Sequence, residues 1–481
     1  MVFSKNEFTE LDFEMSFLGR SEEKKRLARF FASGRENAAL VWGRWRVGKS
    51  ELIKAALREC GARSIYFECQ ETTEALNARA LGEAAGEALG LPPLPFDRLE
   101  PLLDWLFRSA EDAPLILALD EWPFLRDAVR GADSILQSLL DRHRETSRLK
   151  VVLCGSRVSA MAQTLSSKNP LYGRFGLALK LEPMDYLESS LFYPDASDED
   201  KVRYYAVFGG IPYWNSFIEP EAGFRENLVS LAVDPRGRLE NEVPALLRTG
   251  FSRLGSANAV LESLSAGSTR FSGIVSRSGL ASSAALAPVL AKLVAMGIAE
   301  KETPVSKAEN RKRTSYRISD GFVSFYCRYI APRLSARAVM DPEAFFERFI
   351  AEDLESEFIP KRFERVCAEF LVRQNKKGLI SPAFDAIGKC RCDLPAEKRS
   401  REFDLVTHDP AGFAFYEAKF RKSPVTADMI AMKVEEVRAT GLEVRRFGFF
   451  SRSGFDEAAL GMAREGGLSL YTLADLYALE P

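Results

Sequence analysis

The stretch Ala38-Ala39-Leu40-Val41-Trp42-Gly43-Arg44-Trp45-Arg46-Val47-Gly48-Lys49-Ser50 decides the fold. An apolar run without polar alternation enters a glycine, the pattern of a strand buried on both faces of a parallel sheet. Gly43 to Ser50 then match G-x-x-x-x-G-K-[ST], and helical spacing follows from Lys49 to Glu59. This loop needs such a context, a strand leading in and an amphipathic helix leading out. The glycines let the backbone curl so that successive N–H groups point at phosphate, and the helix N-terminus adds positive potential. The predicted nucleotide-binding set is Gly43, Arg44, Trp45, Arg46, Val47, Gly48, Lys49, Ser50 and Glu51. Lys49 is expected to reach the β and γ phosphates of ATP, and the Ser50 hydroxyl to ligate magnesium (Mg2+).

Outward from the loop, three more apolar runs occur at Ser64–Glu68, Leu115–Leu119 and Lys150–Cys154. Helical spacing separates them, as at Ala132–His143, which predicts an α/β class with a parallel sheet. The Leu115–Leu119 run ends in Asp120-Glu121. Successive residues at a strand end point different ways, so the two carboxylates can take separate tasks. Asp120 is expected to hold the metal, and Glu121 to orient or deprotonate the water that attacks the γ-phosphate. Cys154-Gly155-Ser156-Arg157 closes the next strand, and Ser156 there is either a γ-phosphate sensor or a helix cap. Arg174, in the turn-rich Pro170-Leu171-Tyr172-Gly173-Arg174, is either an arginine finger or a surface residue.

These residues resemble the AAA+ group, and more narrowly the prokaryotic, mostly archaeal, P-loop ATPases related to the STAND signalling ATPases. Phe17-Leu18-Gly19-Arg20-Ser21-Glu22 looks like that family's opening motif, Pro170–Arg174 like its arginine turn, and Phe208-Gly209-Gly210-Ile211-Pro212-Tyr213 like its Gly-Gly-x-Pro lid element. The resemblance implies packing of the opening motif near adenine and a helical lid. It also implies a winged helix and a nuclease-like domain in this order. Arg174 would then serve its own site or, in a homo-oligomer, a neighbour's. Trp45 and two arginines inside the loop depart from the usual small residues.

A chain of 481 residues suggests about three domains. The expected divisions are an ATPase domain with lid over 1–245, a winged helix over 246–335 and a nuclease-like domain over 336–481. A net charge of −2 says nothing of partners. The first residues carry acids where a secretory signal has an apolar run, and no stretch approaches about 18 apolar residues. The expectation is a cytoplasmic protein with no membrane partner. Seven dispersed cysteines read as reduced thiols. Cys390 and Cys392 with His408 have the wrong spacing for a zinc knuckle.

Residues 251–330 run as three short helical segments, then strands at Gly297–Pro304 and Thr314–Ile318 joined by a polar loop, the order of a winged helix. The segment holds eleven Lys plus Arg against five Asp plus Glu. The candidate recognition helix, Ser282–Met296, has Lys292 as its only basic residue, whereas Lys307, Arg311, Lys312 and Arg313 cluster at the wing tip. Nucleic acid, with DNA favoured, is the expected partner through phosphate contacts at the wing; the alternative is a domain that packs inside the protein or against a partner, with a solvated charged loop.

Further on, Arg401–Val406 and Phe413–Lys419 read as a hairpin around His408–Gly412. Period-two alternation puts Glu417 and Lys419 on one face, with Asp404 on the paired strand. The pattern resembles the PD-(D/E)xK nucleases, with Asp404, Glu417 and Lys419 matching the motif and Glu364 the added helical acid; Glu369 competes for that role. The resemblance implies a second magnesium site at Asp404, Glu417 and Glu364. Residues 341–481 hold 21 Lys plus Arg against 25 Asp plus Glu, so attraction for DNA must come from patches such as Lys398, Arg399, Arg401, Arg421 and Lys422. The rival expectation is a nucleotide switch or signalling scaffold whose C-terminal domain only binds.

Overall fold

Strands form where the chain is apolar on both faces, and that rule builds the first sheet. The structure, a computed structural model, describes residues 17–305, 314–394 and 399–478. Contacts group it into two units, described here separately. The first spans the described residues up to Gly43, then Gly48–Ser156 and Ala160–Leu181. Its strands are β1 (Ala38–Gly43), β2 (Ser64–Glu68), β3 (Leu115–Asp120), β4 (Leu149–Gly155) and β5 (Leu177–Leu181), in the order β2-β3-β4-β1-β5. All pairs are parallel. Every residue of β1, β3 and β4 is buried, whereas β5, at an edge, alternates buried and exposed. Binding sites of such sheets lie beyond the carboxyl ends of the strands. Here those ends carry Gly43, Asp120 and Gly155.

The second unit holds Arg44–Val47, Arg157–Ser159 and the described residues from Glu182 on. The main division falls after Leu181. The reason is packing: Phe208 stacks on Phe322 at 6.1 Å, and Trp214 lies 5.0 Å from the same ring. Helices Gly255–Ser265, Phe271–Ser278 and Ser283–Ala295 follow, the last two bent by 107° at the turn between them. The Ser282 hydroxyl accepts from the Ala285 amide and starts the third helix. The antiparallel pair β6 (Ala299–Glu302) and β7 (Ser315–Ile318) comes next. The basic tip of that hairpin, Lys307, Arg311, Lys312 and Arg313, lies outside the described residues, as does Lys398.

A mixed sheet closes the chain: β8 (Ala386–Leu394), β9 (Arg399–Asp409), β10 (Gly412–Lys419), β11 (Val444–Ser451) and β12 (Leu468–Thr472), in the order β12-β11-β10-β9-β8. The expected hairpin is β9–β10, turned by an Asp409 carboxylate that accepts from the Ala411 amide at 2.8 Å. Helix Ile359–Lys376 covers one face, where Phe370 meets Phe450 and Tyr471 edge-on. Helix Ala427–Arg438 covers the other, with Val437 packed among Phe403, Val406 and Phe415. Among the described residues no single helix is long and apolar enough to cross a membrane.

Candidate functional site

The helix Lys49–Cys60 starts at Gly48, whose φ of 90° only glycine adopts without strain. That turn brings Ser50 back toward β3. The Ser50 hydroxyl donates to Asp120 Oδ2 at 2.5 Å, and the Tyr66 hydroxyl donates to the same oxygen. The Glu121 amide donates to Oδ1 at 2.9 Å. Burial pulls the Asp120 carboxyl upward, but hydrogen bonds from Cys154, Ser50, Tyr66 and the Glu121 amide outweigh it and hold the group below the usual carboxylate range. Asp120 is therefore a buried, ionised oxygen donor touching the Ser50 hydroxyl, a donor set that suits a hard divalent cation. Lys49 is buried too, and its charge opposes the rise that burial and Asp120 impose on the Cys154 thiol.

Glu121 sits at φ 50°, a left-handed conformation that a non-glycine residue adopts only under constraint. Its Oε2 accepts from the Ser156 amide at 3.2 Å. Ser156 thus reaches this site through its backbone. Arg174 is held by Asp141 in a bidentate pair at 3.0 and 2.8 Å, and by the carbonyls of Pro170 and Tyr172. A finger role would require it to leave these partners. Glu51 faces solvent and pairs with Lys54 at 3.2 Å, so only its backbone belongs to the loop. Arg44, Trp45, Arg46 and Val47 belong with the second unit.

Tyr66 and Cys154 were not singled out as site residues from the sequence. The signal for Tyr66 was available: a tyrosine in a buried strand needs a partner for its hydroxyl. Burial first, then the Asp120 charge, pushes the Tyr66 phenol up, so it stays a donor. The Cys154 thiol looks like an ordinary core residue in sequence and gives no such sign.

In the C-terminal sheet the structure divides the expected nuclease set. On β9, Asp404 and Leu405 together face Lys389 of β8, because the register slips between Gly388↔Val406 and Cys390↔Phe403. This bulge exposes Asp404, whose carboxylate pairs with Lys389 at 3.0 Å. Helical Glu364 is its neighbour: burial first and the Asp404 charge second push the Glu364 carboxyl up to about 7. Glu369 is consumed elsewhere, accepting from Tyr205, Arg365 and the Tyr186 amide.

Glu417 lies on the other face. Phe403 packs edge-on to Phe415 at 5.0 Å, so Phe415 and Glu417 share the Phe403 side, while Asp404 alternates away. Glu417 Oε1 meets Lys419 at 2.5 Å and Oε2 meets Lys433 at 3.0 Å. These groups line a cleft of about 630 Å³ with Arg401, Glu436 and Met429. Among the described residues no hydrogen bond or ion pair joins Asp404 to Glu417. Nor do three acidic, His or Cys side chains gather there to hold a metal. The three groups expected to converge stand as two sets, separated by the bulge and by strand alternation.

Comparison with known proteins bears on the two regions unequally. Residues 17–214 match a family model described as an ATPase domain predominantly from Archaea, and residues 326–438 match one described as archaeal and bacterial proteins of unknown function. An uncharacterized protein of Methanocaldococcus jannaschii is 28% identical over 399 residues, covering 81% of this chain and 84% of its own. The Walker-type ATPase PABY2304 of Pyrococcus abyssi superposes with a TM-score of 0.50 at 22% identity, over 65% of this chain and 96% of its own. The ORC2 protein of Aeropyrum pernix, at 14% identity over 71% of this chain and 96% of its own, gives a TM-score of 0.44, too low to support an inference. Residues 17–214 are thus similar to an ATPase domain described as predominantly from Archaea.

Proposed function

We propose that the chain binds and hydrolyses ATP at the Gly43–Ser50 loop and uses the cycle to act on nucleic acid, DNA over RNA. The observation that carries the first part is the 2.5 Å contact of Ser50 with an ionised Asp120, with Glu121 next in sequence. Ser50 and Asp120 would hold the magnesium of the nucleotide, which when bound neutralises charge on the β and γ phosphates. Lys49 supplies a buried cation to those phosphates. Glu121 is fixed at one oxygen by the Ser156 amide, and among the described residues no hydrogen bond holds the other, which can orient or deprotonate water.

The second part rests on three helices followed by an antiparallel hairpin, which supports a winged helix, and on the basic excess of residues 251–330. Helix Ser283–Ala295 offers one lysine and no other charge, which favours phosphate contact over base reading. The test is ATP turnover with and without magnesium, against single- and double-stranded DNA and RNA. DNA should raise turnover, and the effect should fade with added salt. Turnover indifferent to every nucleic acid would leave a nucleotide switch instead.

A second reading concerns the C-terminal sheet. Both Glu417 oxygens are covered by lysine ammonium groups and Asp404 is held by Lys389, which favours a domain that binds its partner without cutting it. On the cleaving alternative, Asp404→Ala spares ATP turnover and removes a magnesium-dependent cleavage of DNA. On the binding reading there is no cleavage to remove.

A further inference from the structure

Arg44–Val47, the middle of the Gly43–Ser50 loop, lie within the second unit, whose side chains hold them. Arg44 Nη1 donates to Asp320 Oδ2 at 2.6 Å, with the two side chains 4% and 5% exposed. The same guanidinium lies 5.4 Å from the Trp214 ring. The other Asp320 oxygen accepts from the Val323 amide at 2.7 Å and starts the turn Gly321–Phe325. The carbonyls of Ile318, Ser319 and Asp320 all accept from Arg362, so the backbone that presents this carboxylate is itself fixed. Arg46 is held too, with its side chain 30% exposed. Its guanidinium lies 3.6 Å from the Tyr213 ring and 4.2 Å from Trp45, and Nη2 reaches Glu242 at 3.4 Å. Glu242 in turn accepts from Trp214 Nε1 at 3.1 Å.

Two features make these contacts more than packing. Arg46 has φ 67°, a conformation that non-glycine residues keep only when their surroundings over-determine it. And a buried Arg–Asp pair is a poor stabiliser, since apolar replacements are often as stable; in some proteins its role is to fix one register. Both points fall on the residues whose amides must curl around phosphate.

We infer that Asp320 and Glu242 are positioning residues for the phosphate loop: through Arg44 and Arg46 they hold its backbone curled before ATP arrives. The inference rests on the ATP reading above. A loop ordered in advance has less freedom to lose on binding, so these residues act on ATP affinity more than on the chemical step.

The test uses the full chain and two isosteric changes. Asp320→Asn removes the charge that holds Arg44 but keeps a side chain that caps the following turn as well as aspartate does. Glu242→Gln loosens Arg46 while leaving an oxygen for Trp214. Each should weaken ATP binding, read by equilibrium titration, on the order of tenfold with kcat within about twofold of wild type. Arg44→Met/Asp320→Asn replaces the pair by neutral groups. Its thermal midpoint should stay near wild type while its ATP affinity remains weak. Folded variants that bind ATP as wild type does would overturn the inference, and so would a double variant whose affinity recovers with its stability. If Asp320→Asn alone fails to fold, the double variant decides. Wild-type protein that binds no ATP, or that binds it undiminished after Lys49→Ala, would strike the ATP reading itself, a distinguishable result.

Discussion

Glu121 combines a strained backbone with a carboxylate tied at one oxygen to the Ser156 amide. Such strain persists where geometry matters more than comfort. Glu121→Gln keeps an acceptor for that amide but cannot take a proton. It should leave ATP binding near wild type and lower kcat by about 10²–10⁴ in a phosphate-release assay. A variant that loses binding in step with turnover would mean that Glu121 shapes the site and is not its base. At the other carboxylate site, the Glu364 carboxyl is raised to about 7 by burial and by Asp404. The folded state then holds a proton that the unfolded chain releases near pH 4.5. Holding that proton favours folding below that pH, and the gain is lost as pH rises through 7. Glu364→Gln should flatten the fall of thermal midpoint between pH 4.5 and 7, measured by differential scanning fluorimetry in matched buffers.

In the first sheet, unbroken apolar runs were the legible strands, including β2 at an edge. β1, β3 and β4 read directly from Ala38–Trp42, Leu115–Leu119 and Lys150–Cys154, because an unbroken apolar run has few other uses. β5 escaped, since its Leu-Ala-Leu-Lys-Leu pattern alternates at a sheet edge and lacks a flanking loop motif. The β9–β10 hairpin was legible from its turn residues, but the bulge opposite Lys389 was not; no residue type announces the slip that turns Asp404 away from Glu417. The loop Gly43–Ser50 was readable as a phosphate cradle, while its grip by Asp320 and Glu242 depends on contacts 276 and 196 residues away in sequence. At the Gly-Gly-x-Pro element, a Cβ on Gly210 would meet the Met184 carbonyl oxygen at 1.8 Å. Gly210→Ala should therefore destabilise the second unit by at least about 2 kcal/mol, seen as an earlier urea transition. Arg174→Ala, by contrast, removes a largely exposed pair with Asp141 and should cost no more than about 1 kcal/mol. A fall in turnover far beyond that change in stability would restore the finger role.

Across the whole chain, the residues that fit ATP chemistry and those that fit nucleic acid occupy different segments. The first set is fixed by a short contiguous motif and one acidic strand end, which is why sequence carried it so far. The second depends on the net basic charge of residues 251–330 and on a C-terminal sheet whose charged groups are mutually paired, so charge counting alone could say little about its chemistry. The proposed function stands on magnesium-dependent ATP turnover by the Gly43–Ser50 loop. Phosphate release measured for wild type and Lys49→Ala, with magnesium and with excess chelator, tests it most directly. Turnover is expected in wild type with magnesium alone, and none above background in the other three conditions. Equal release by wild type and Lys49→Ala, or release that survives the chelator, would contradict it.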